Sequence, residues 1–288
     1  MKAYFKLKRF LKLLRLAYRR QRAINRWGKD AFLSTPPLLG TALPKSGSHL
    51  LIQVLRGLVE IGPFVDPGFP PVNRFEGNTP LSEEETVEEI KRMRSGEIRY
   101  GYAPCREPYL SAITAPGRAT VFIYRDPRDL LVSHVFYALD IHEGHGMHEY
   151  YNHQLDSMEE RLNVAIEGCD IPGLELPSVW ERYEDRLGWF EQENVLCVRF
   201  EDLILNREKP LGEILEYLSG FGVAFTLPRQ KAIRALGDAI QPQKSGTFRK
   251  GEPGNWREHF TPENKARFKA VAGDLLTRLG YEEDDQDW

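Results

Sequence analysis

Short apolar runs alternate with helix-like stretches from residue 38 onward. Residues 38–43 are predicted to form a buried strand, and a glycine-containing turn separates them from a helix that runs through residues 50–55. Further strands are predicted at residues 98–103, 120–124 and 195–200, each leading into a helical segment. Alternation of this kind indicates βαβ units, so we expect an α/β fold with a central, mostly parallel sheet flanked by helices.

Between the first two predicted strands, a proline- and glycine-rich stretch at residues 62–80 is predicted as a loop. A helix is predicted over residues 82–94. Ser82 suits its N-cap, and three glutamates follow in the first turn, where the helix dipole favours negative charge.

The first 29 residues predict a separate amphipathic helix. Its apolar stripe and the basic positions opposed to it are Leu7, Phe10, Leu11, Leu14 and Tyr18, and Lys8, Lys12, Arg15, Arg19 and Arg22. Such a helix attaches to an anionic membrane surface or to an acidic partner, or it lies on the acidic body of the protein itself. We therefore predict a basic helix over residues 1–30 and a second domain over residues 31–288.

Charge and composition fit this division. Eleven of the 39 lysine and arginine residues lie in residues 1–29, which contain no acidic residue, whereas the rest of the chain has 28 cations against 42 acids. No apolar run is long enough to span a membrane, and the N-terminus lacks the features of a secretory signal. We expect a cytoplasmic protein, associated with the inner membrane surface if the helix binds lipid, and no nucleic-acid partner.

The loop after the first predicted strand, at residues 44–50, has the character of an anion site. Backbone N–H groups at the start of the next helix can cradle a phosphate, Gly47 permits close approach, and Lys45 adds a full positive charge. The lysine precedes the glycine, unlike the order in a Walker A loop, which argues against nucleotide triphosphate hydrolysis. An ordinary strand-to-helix turn is the alternative for this segment alone.

A second segment, residues 124–134, again follows a predicted strand. Asp126 can cap the next helix and Pro127 suits its first turn, so both have structural explanations. Arg125 has no such structural explanation in the sequence. Together with Ser133, two turns along the helix, it can clamp a phosphate by charge-assisted hydrogen bonds.

A third segment, residues 248–256, places Arg249 and Lys250 beside Gly251. Adjacent cations between glycines indicate a basic turn that closes over a polyanion, whereas a solvated charged loop is the alternative.

In this order, the three segments resemble the signature elements of sulfotransferases of the cytosolic type, which use 3′-phosphoadenosine 5′-phosphosulfate (PAPS). They are similar to the PKSGTTW-like loop for the 5′-phosphosulfate, the YRDPRD…S element for the 3′-phosphate and the RKGxxGDW loop over the cofactor. Residues 198–203 also resemble the family's VRYEDL segment, and the likeness covers residues 38–275. It implies a single domain with a P-loop fold related to nucleotide kinases.

The resemblance implies transfer of a sulfuryl group from PAPS to a hydroxyl or amine by in-line displacement, without a metal, releasing 3′-phosphoadenosine 5′-phosphate (PAP). In this family pattern Lys45 stabilises the leaving oxygen, and Ser133 holds that lysine when acceptor is absent. The cofactor-binding residues it implies are Lys45, Ser46, Gly47, Ser48 and His49 at the 5′-phosphosulfate, Arg125 and Ser133 at the 3′-phosphate, and Arg249, Lys250 and Gly251 completing the latter site.

The sequence departs from the family at the catalytic base. The family places a histidine in a T-H-L-P or G-H-x-P segment, and Tyr102 stands there in residues 100–104. A phenol is a poor base at neutral pH, although nearby cations improve it. Glu107 is the second candidate, because some family branches use a glutamate, and His49 suits binding rather than proton abstraction. Further candidates are His134, His142, His145 and His148.

Residues 142–148 also suggest a metal site, but their H-x-x-H-x-x-H spacing is not that of structural zinc, so we expect a substrate-facing loop and no metal. The acceptor is expected to be a small molecule, carbohydrate or lipid held by loops 62–80, 140–180 and 225–247. A P-loop-type small-molecule kinase and a non-catalytic PAPS-binding protein peripheral to the membrane remain alternatives. The oligomeric state, including a homo-oligomer, is left open.

Overall fold

A computed structural model describes residues 2–244, 251–284 and 288, and every structural statement refers to these residues. The chain forms two compact units, Met1–Tyr124 with Gly188–Pro242, and Arg125–Leu187 with Gln243–Trp288. The helices are α1 Lys2–Trp27, α2 Lys29–Ser34, α3 Ser48–Ile61, α4 Glu83–Lys91, α5 Tyr109–Ile113, α6 Pro127–Phe136, α7 His148–His153, α8 Met158–Glu167, α9 Val179–Leu187, α10 Phe200–Leu205, α11 Glu208–Gly220, α12 Arg229–Ala239, α13 Pro262–Ala272 and α14 Leu275–Arg278. The strands are β1 Leu38–Ala42, β2 Arg74–Phe75, β3 Thr79–Pro80, β4 Ile98–Gly101, β5 Ala119–Tyr124, β6 Cys169–Ile171, β7 Leu174–Leu176 and β8 Val195–Arg199.

The first unit contains a four-stranded parallel sheet in the order β4-β1-β5-β8. This confirms the predicted α/β fold and all four predicted strands. The chain leaves β1 to form β4 on one side and then returns to form β5 on the other. In open sheets, a reversal of strand order leaves a crevice at the carboxyl ends of the two strands where it occurs. The ends of β1 and β5 are therefore the expected position of a ligand.

The sheet is buried on both faces, as parallel sheets require. Along β5, Val121 and Ile123 face a core shared with α3, α11 and α12. Phe122 and Tyr124 point to the opposite face, where both rings contact Phe190. The alternation fixes the register of β5, because a slip of one residue would exchange the side chains that pack on the two buried faces.

The segment between α3 and β4 was only partly predicted. Ser82 caps α4 as expected, and its side chain forms a capping box with Glu85, but the helix ends at Lys91 rather than at residue 94. The predicted loop 62–80 contains a small antiparallel hairpin in which Phe75 of β2 pairs with Thr79 of β3. Strands of two residues show no periodicity in the sequence, so the pattern could not indicate them.

In the second unit, α6, α8, α9 and α13 pack together, beside a two-stranded antiparallel sheet of β6 and β7. Helix α6 begins as predicted: Pro127 occupies its first turn, and the Asp126 side chain accepts a hydrogen bond from the Arg128 backbone N–H. A short π-helical turn, Tyr137–Ile141, continues α6. Within the described ranges, no helix has the length and apolar character needed to cross a membrane.

Candidate functional site

The loop between β1 and α3 has an unusual backbone. Lys45 adopts φ 71° and Gly47 adopts φ 100°, so a left-handed residue precedes and follows Ser46. Non-glycine residues rarely adopt such angles, and strain of this kind concentrates at functional sites. Turns that combine left- and right-handed residues direct successive backbone N–H groups to one side, which makes an anion-binding concavity.

Ser46 fixes this loop to the sheet. Its buried hydroxyl accepts the Leu43 N–H at 3.1 Å and lies 2.8 Å from the Leu43 carbonyl oxygen and 3.2 Å from that of Ile123. The loop is thereby attached to the carboxyl ends of both β1 and β5. The Ser46 backbone N–H also donates to the Leu43 carbonyl oxygen, at 3.2 Å, so the side chain and the backbone of Ser46 both serve to hold the turn.

Gly47 is required at the start of α3 for two reasons. Its φ of 100° disfavours any side chain, and a Cβ atom there would lie 2.4 Å from Cδ2 of Phe200. The close approach lets α3 begin directly at Ser48. The N–H groups of Ser48 and His49, at its first two positions, have no acceptor within the helix, whereas that of Leu50 donates to the Gly47 carbonyl oxygen at 2.9 Å. These groups and the helix dipole favour an anion at this point.

Two basic side chains belong to the same loop. Lys45 is half-buried, and His49 lies in the first turn of α3 with an exposed side chain. The pKa of His49 is lowered, chiefly by loss of hydration among neighbouring protein atoms and further by the positive charges of Lys45 and Arg56. His49 is therefore neutral at pH 7 and can donate one hydrogen bond to an anion.

The segment after β4 reaches this loop. The Tyr102 hydroxyl donates to Ser48 Oγ at 3.2 Å, and the Ala103 N–H donates to Thr41 Oγ1 at 3.1 Å. Tyr102 is therefore held beside the start of α3. Glu107 is exposed, and its carboxylate accepts hydrogen bonds from the hydroxyl and backbone N–H of Ser111 within the first turn of α5. Of the two principal base candidates, Tyr102 is the one that contacts the loop.

The second unit begins at Arg125, directly after β5. Arg125 is buried, and its guanidinium Nη2 lies 3.9 Å from Oδ2 of Asp129, one turn further along. The hydroxyl of buried Tyr183 donates to the Arg125 carbonyl at 2.8 Å. Arg125 is therefore held at its guanidinium and at its backbone carbonyl, and these two contacts orient the cation.

Asp129 connects this helix to the segment that follows the third basic turn. Its carboxylate accepts the Gly254 N–H at 2.7 Å and the Trp256 N–H at 2.8 Å. Burial raises the pKa of Asp129, whereas the Arg125 charge and the two N–H groups act in the opposite direction. The carboxylate is therefore a buried anchor between two of the predicted motifs.

Arg128 has a structural role. Its buried guanidinium pairs with Asp126 and Glu282 and lies over the Trp256 ring, with 4.0 Å from Cζ to the ring centroid. Two of the charged residues in residues 124–129 thus stabilise α6 and the C-terminal segment.

The remaining predicted residues have less defined surroundings. Ser133 lies half-buried on α6, and Gly251 has φ 65°. Arg249 and Lys250 lie outside the described residues, so their predicted roles stay predictions.

The predicted histidine candidates form an aromatic group in the second unit. The rings of His134 and His145 lie 5.1 Å apart in an edge-to-face arrangement, and His142 stacks on Tyr137 at 5.4 Å. His148 Nδ1 lies 2.8 Å from the Ala138 carbonyl oxygen. Among the residues with described positions, no three or more His, Cys, Asp or Glu side chains are grouped to hold a metal ion.

Sequence reasoning missed Asp129 and Tyr183. Asp129 could have been found, because it stands four residues after Arg125 on a predicted helix, where opposite charges are neighbours. Tyr183 is 58 residues away from Arg125, and nothing in the sequence connects the two.

Comparison with known proteins covers most of the chain. The family model described as "Sulfotransferase domain" matches residues 36–280, which include parts of both compact units. Cytosolic sulfotransferase 16 of Arabidopsis thaliana is 25% identical over 289 residues, covering 88% of this chain and 80% of the relative.

Solved structures share the fold. Mouse sulfotransferase SULT7A1 complexed with PAP has a TM-score of 0.58 at 18% identity, covering 85% of this chain and 84% of the mouse chain. Retinol dehydratase in complex with androsterone and inactive cofactor PAP has a TM-score of 0.52 at 16% identity, covering 86% of this chain and 84% of that one. Its complex with retinol and PAP scores 0.51 at 17% identity, covering 86% and 85%. At these identities the likeness supports the fold and leaves the ligands to be tested on this chain.

Proposed function

Because the chain belongs to the sulfotransferase family, we propose that it transfers a sulfuryl group from PAPS to a hydroxyl or amine of an acceptor. The observation that carries the proposal is the strained loop between β1 and α3, where Lys45 and Gly47 hold left-handed conformations before a helix N-terminus. The PAP-bound structural neighbours agree with PAPS as the donor. The family match gives no support to the kinase and non-catalytic alternatives.

At the 5′ end of the cofactor, we assign the phosphosulfate to Lys45, Ser46, Gly47, Ser48 and His49. The backbone N–H groups of the loop and of the first turn of α3 donate to the anionic oxygens. Lys45 adds a full charge, and His49, whose pKa is lowered in the free protein, adds a hydrogen bond. Ser46 contributes by shaping the loop around the anion, since its hydroxyl and its backbone N–H are both engaged with the strand ends.

At the 3′ end, we assign the phosphate to Arg125 and Ser133, completed by Arg249, Lys250 and Gly251. Asp129 and Tyr183 position Arg125 and do not themselves contact the phosphate. Asp129 also anchors Gly254 and Trp256, which follow the third basic segment in the sequence.

The reaction breaks the bond between sulfur and the oxygen that bridges it to the 5′-phosphate, and forms a bond between sulfur and the acceptor oxygen or nitrogen. The electron pair of the broken bond leaves with PAP, and Lys45 stabilises the negative charge that develops there. The acceptor proton must go to a base. Tyr102, hydrogen-bonded to Ser48 at the start of α3, is our first candidate for this role, ahead of Glu107. No metal takes part in the proposed chemistry.

The acceptor that we propose is the one expected from the sequence: a small molecule, carbohydrate or lipid with a hydroxyl or amine. Retinol dehydratase was crystallised with androsterone and with retinol, both of which carry a hydroxyl group. At 16% and 17% identity this likeness concerns the fold, so both compounds enter the test panel only as examples of apolar alcohols.

Two measurements test the proposal. In calorimetry, PAP and PAPS should bind at micromolar concentration while ATP, which lacks the 3′-phosphate, binds at least about tenfold more weakly. Purified protein should then transfer radiolabelled sulfate from PAPS to at least one member of a panel of phenols, sugars, lipids and amines, with undiminished rate in excess EDTA. ATP binding stronger than PAP binding would favour a kinase, and PAP binding without turnover on any acceptor would favour a non-catalytic protein.

A further inference from the structure

Helix α1 turns its predicted apolar stripe away from the rest of the first unit. Leu7, Phe10 and Leu14 are each more than half exposed, at 57%, 54% and 53%, although they are large apolar residues. Together, the side chains that form this outward face are Tyr4, Leu7, Phe10, Leu11, Leu14 and Tyr18. A contiguous exposed apolar face on a helix marks an interaction surface.

The opposite side of α1 is attached to the body of the unit. Leu16 and Ala23 are buried against Phe32 and Val65 in a small core of their own. Gly77 fits closely against α1, because a Cβ atom added there would lie 2.3 Å from Cζ of Phe5. The helix is therefore packed along its inner side, and this packing fixes which side chains face outward.

Basic residues on the inner side form ion pairs that strengthen the same orientation. Lys12 Nζ lies 2.8 Å from buried Glu76, and Arg20 lies 3.2 Å from Glu97. Arg9 pairs with Glu89, which also pairs with Arg99. These contacts are the ones expected for a helix on an acidic body, and they use cations rather than the apolar stripe.

Other cations border the outward face. Lys6, Arg15 and Arg22 are exposed, and residues 1–29 contain no acidic side chain. Arg15 and Arg22 follow Leu11 and Tyr18 by four residues, so they lie beside the apolar stripe and not opposite it, unlike the prediction from the sequence. The surface therefore combines an apolar centre with a purely positive rim. Two tyrosines stand at its ends: Tyr4 and Tyr18, about 21 Å apart along a straight helix. Tyrosine is enriched at the interface between water and lipid, where its ring is apolar and its hydroxyl is wet.

We propose that the outward face of α1 docks on an anionic lipid bilayer, with the helix lying in the plane of the interface. The apolar side chains enter the region between headgroups and acyl chains, while the bordering cations pair with lipid phosphates and carboxylates. A second copy of this chain is a poorer occupant, because face-to-face packing would bring two positive rims together. The inference concerns a surface apart from the proposed cofactor site and stands without the proposed activity.

Vesicle flotation tests the proposal directly. The full-length protein should float with phosphatidylcholine vesicles that contain about 30% phosphatidylserine and stay behind with pure phosphatidylcholine. Raising NaCl from about 0.1 M to about 0.5 M should release most of the bound protein, because salt screens the contribution of the cations.

Two double variants separate the two contributions. Leu11→Gln/Leu14→Gln removes apolar area, and Arg15→Gln/Arg22→Gln removes rim charge; each should lower the partition coefficient roughly tenfold or more. Leu205→Gln is the matched control, since Leu205 is 73% exposed on α10 and lies off the face, and it should bind as wild type does. Unchanged circular dichroism melting curves would show that each variant is folded.

Three results would overturn the inference. The first is equal binding to neutral and anionic vesicles, and the second is full binding by both double variants. The third is a wild-type protein that is a dimer in light scattering and does not bind the vesicles, together with a leucine variant that is monomeric. That outcome would assign the face to a second copy of the chain.

Discussion

The carboxylate of Asp129 accepts a hydrogen bond from the backbone N–H of Trp256, with 2.8 Å between Oδ1 and the nitrogen. Its other oxygen accepts the Gly254 N–H, and the same carboxylate lies 3.9 Å from the Arg125 guanidinium. One buried acid thus joins the helix after β5 to the segment after the third basic turn. Arg125 and the segment from Gly254 to Trp256, which are far apart in sequence, are therefore held in a fixed relation by a residue that we do not expect to touch the proposed cofactor.

Replacing this acid tests its positioning role. Asp129→Asn keeps the size but leaves one backbone N–H facing an amide donor, and it removes the charge beside Arg125. We expect PAP to bind about tenfold more weakly and KM for PAPS to rise, with kcat changed less than about threefold. Calorimetry and initial rates measure this.

Asp274→Asn is the control for that experiment, since Asp274 is an exposed acid in the same unit. It should behave as wild type does. Unaltered PAP affinity in a folded Asp129→Asn protein would show that the connection does not govern cofactor binding.

Gly47 allows a prediction with an internal reference. In Gly47→Ala, the added methyl group is strained by a left-handed backbone and also clashes with Phe200. In Gly117→Ala, the backbone is left-handed as well, with φ 74°, but no atom lies within 4 Å of the added carbon. Gly117→Ala should therefore cost about 1 kcal/mol of unfolding free energy, and Gly47→Ala roughly 3 kcal/mol or more. Urea unfolding of both variants measures the difference, and equal losses would contradict the close approach of Phe200.

Sequence reasoning predicted the fold well because its signals are local. The strands at residues 38–43 and 120–124 are mostly apolar runs, and the Ser82 cap and the Pro127 start depend on residues within one turn. It could not show that the Ser46 hydroxyl bonds to Ile123, 77 residues away, or that Asp129 reaches Trp256. Likewise, periodicity predicted the apolar stripe of α1 but not that the stripe faces outward. The orientation of the helix depends on ion pairs between its cations and the acids at residues 76, 89 and 97, which are distant in sequence.

His49 predicts a pH dependence of PAP binding. Its pKa is lowered in the free protein, chiefly by lost hydration and then by Lys45 and Arg56, and a bound polyanion should raise it again. Binding then takes up a proton, so affinity should increase as pH falls from about 7.5 to about 5.5. Since PAP itself titrates in this range, the signal is the difference in slope between wild type and His49→Asn. Identical slopes would mean that His49 does not bind the phosphate.

Lys45 should matter most for turnover. Lys45→Met removes the charge at the leaving oxygen, so kcat should fall roughly 10²- to 10³-fold while the protein stays folded. PAP binding should weaken less, because the backbone N–H groups of the loop remain. Lys91→Met, at an exposed lysine on α4, is the control and should retain full activity. Turnover unchanged by Lys45→Met would refute the assignment of Lys45.

Tyr102 is the residue that tests which group acts as the catalytic base, because it stands where the family places a histidine and contacts the start of α3 through Ser48. With an acceptor from the panel, Tyr102→Phe should lower kcat by about 10²-fold with little change in KM for PAPS, since the variant loses only the hydroxyl. Tyr102→His should recover activity, and its rate should rise with pH until the imidazole is neutral and then level off, as expected for a histidine base. Tyr100→Phe, two residues earlier on β4, controls for the loss of a hydroxyl near the site and should stay active. If Tyr102→Phe keeps the wild-type rate while Glu107→Gln loses it, the base is Glu107, and the hydrogen bond from Tyr102 to Ser48 serves only to shape the loop.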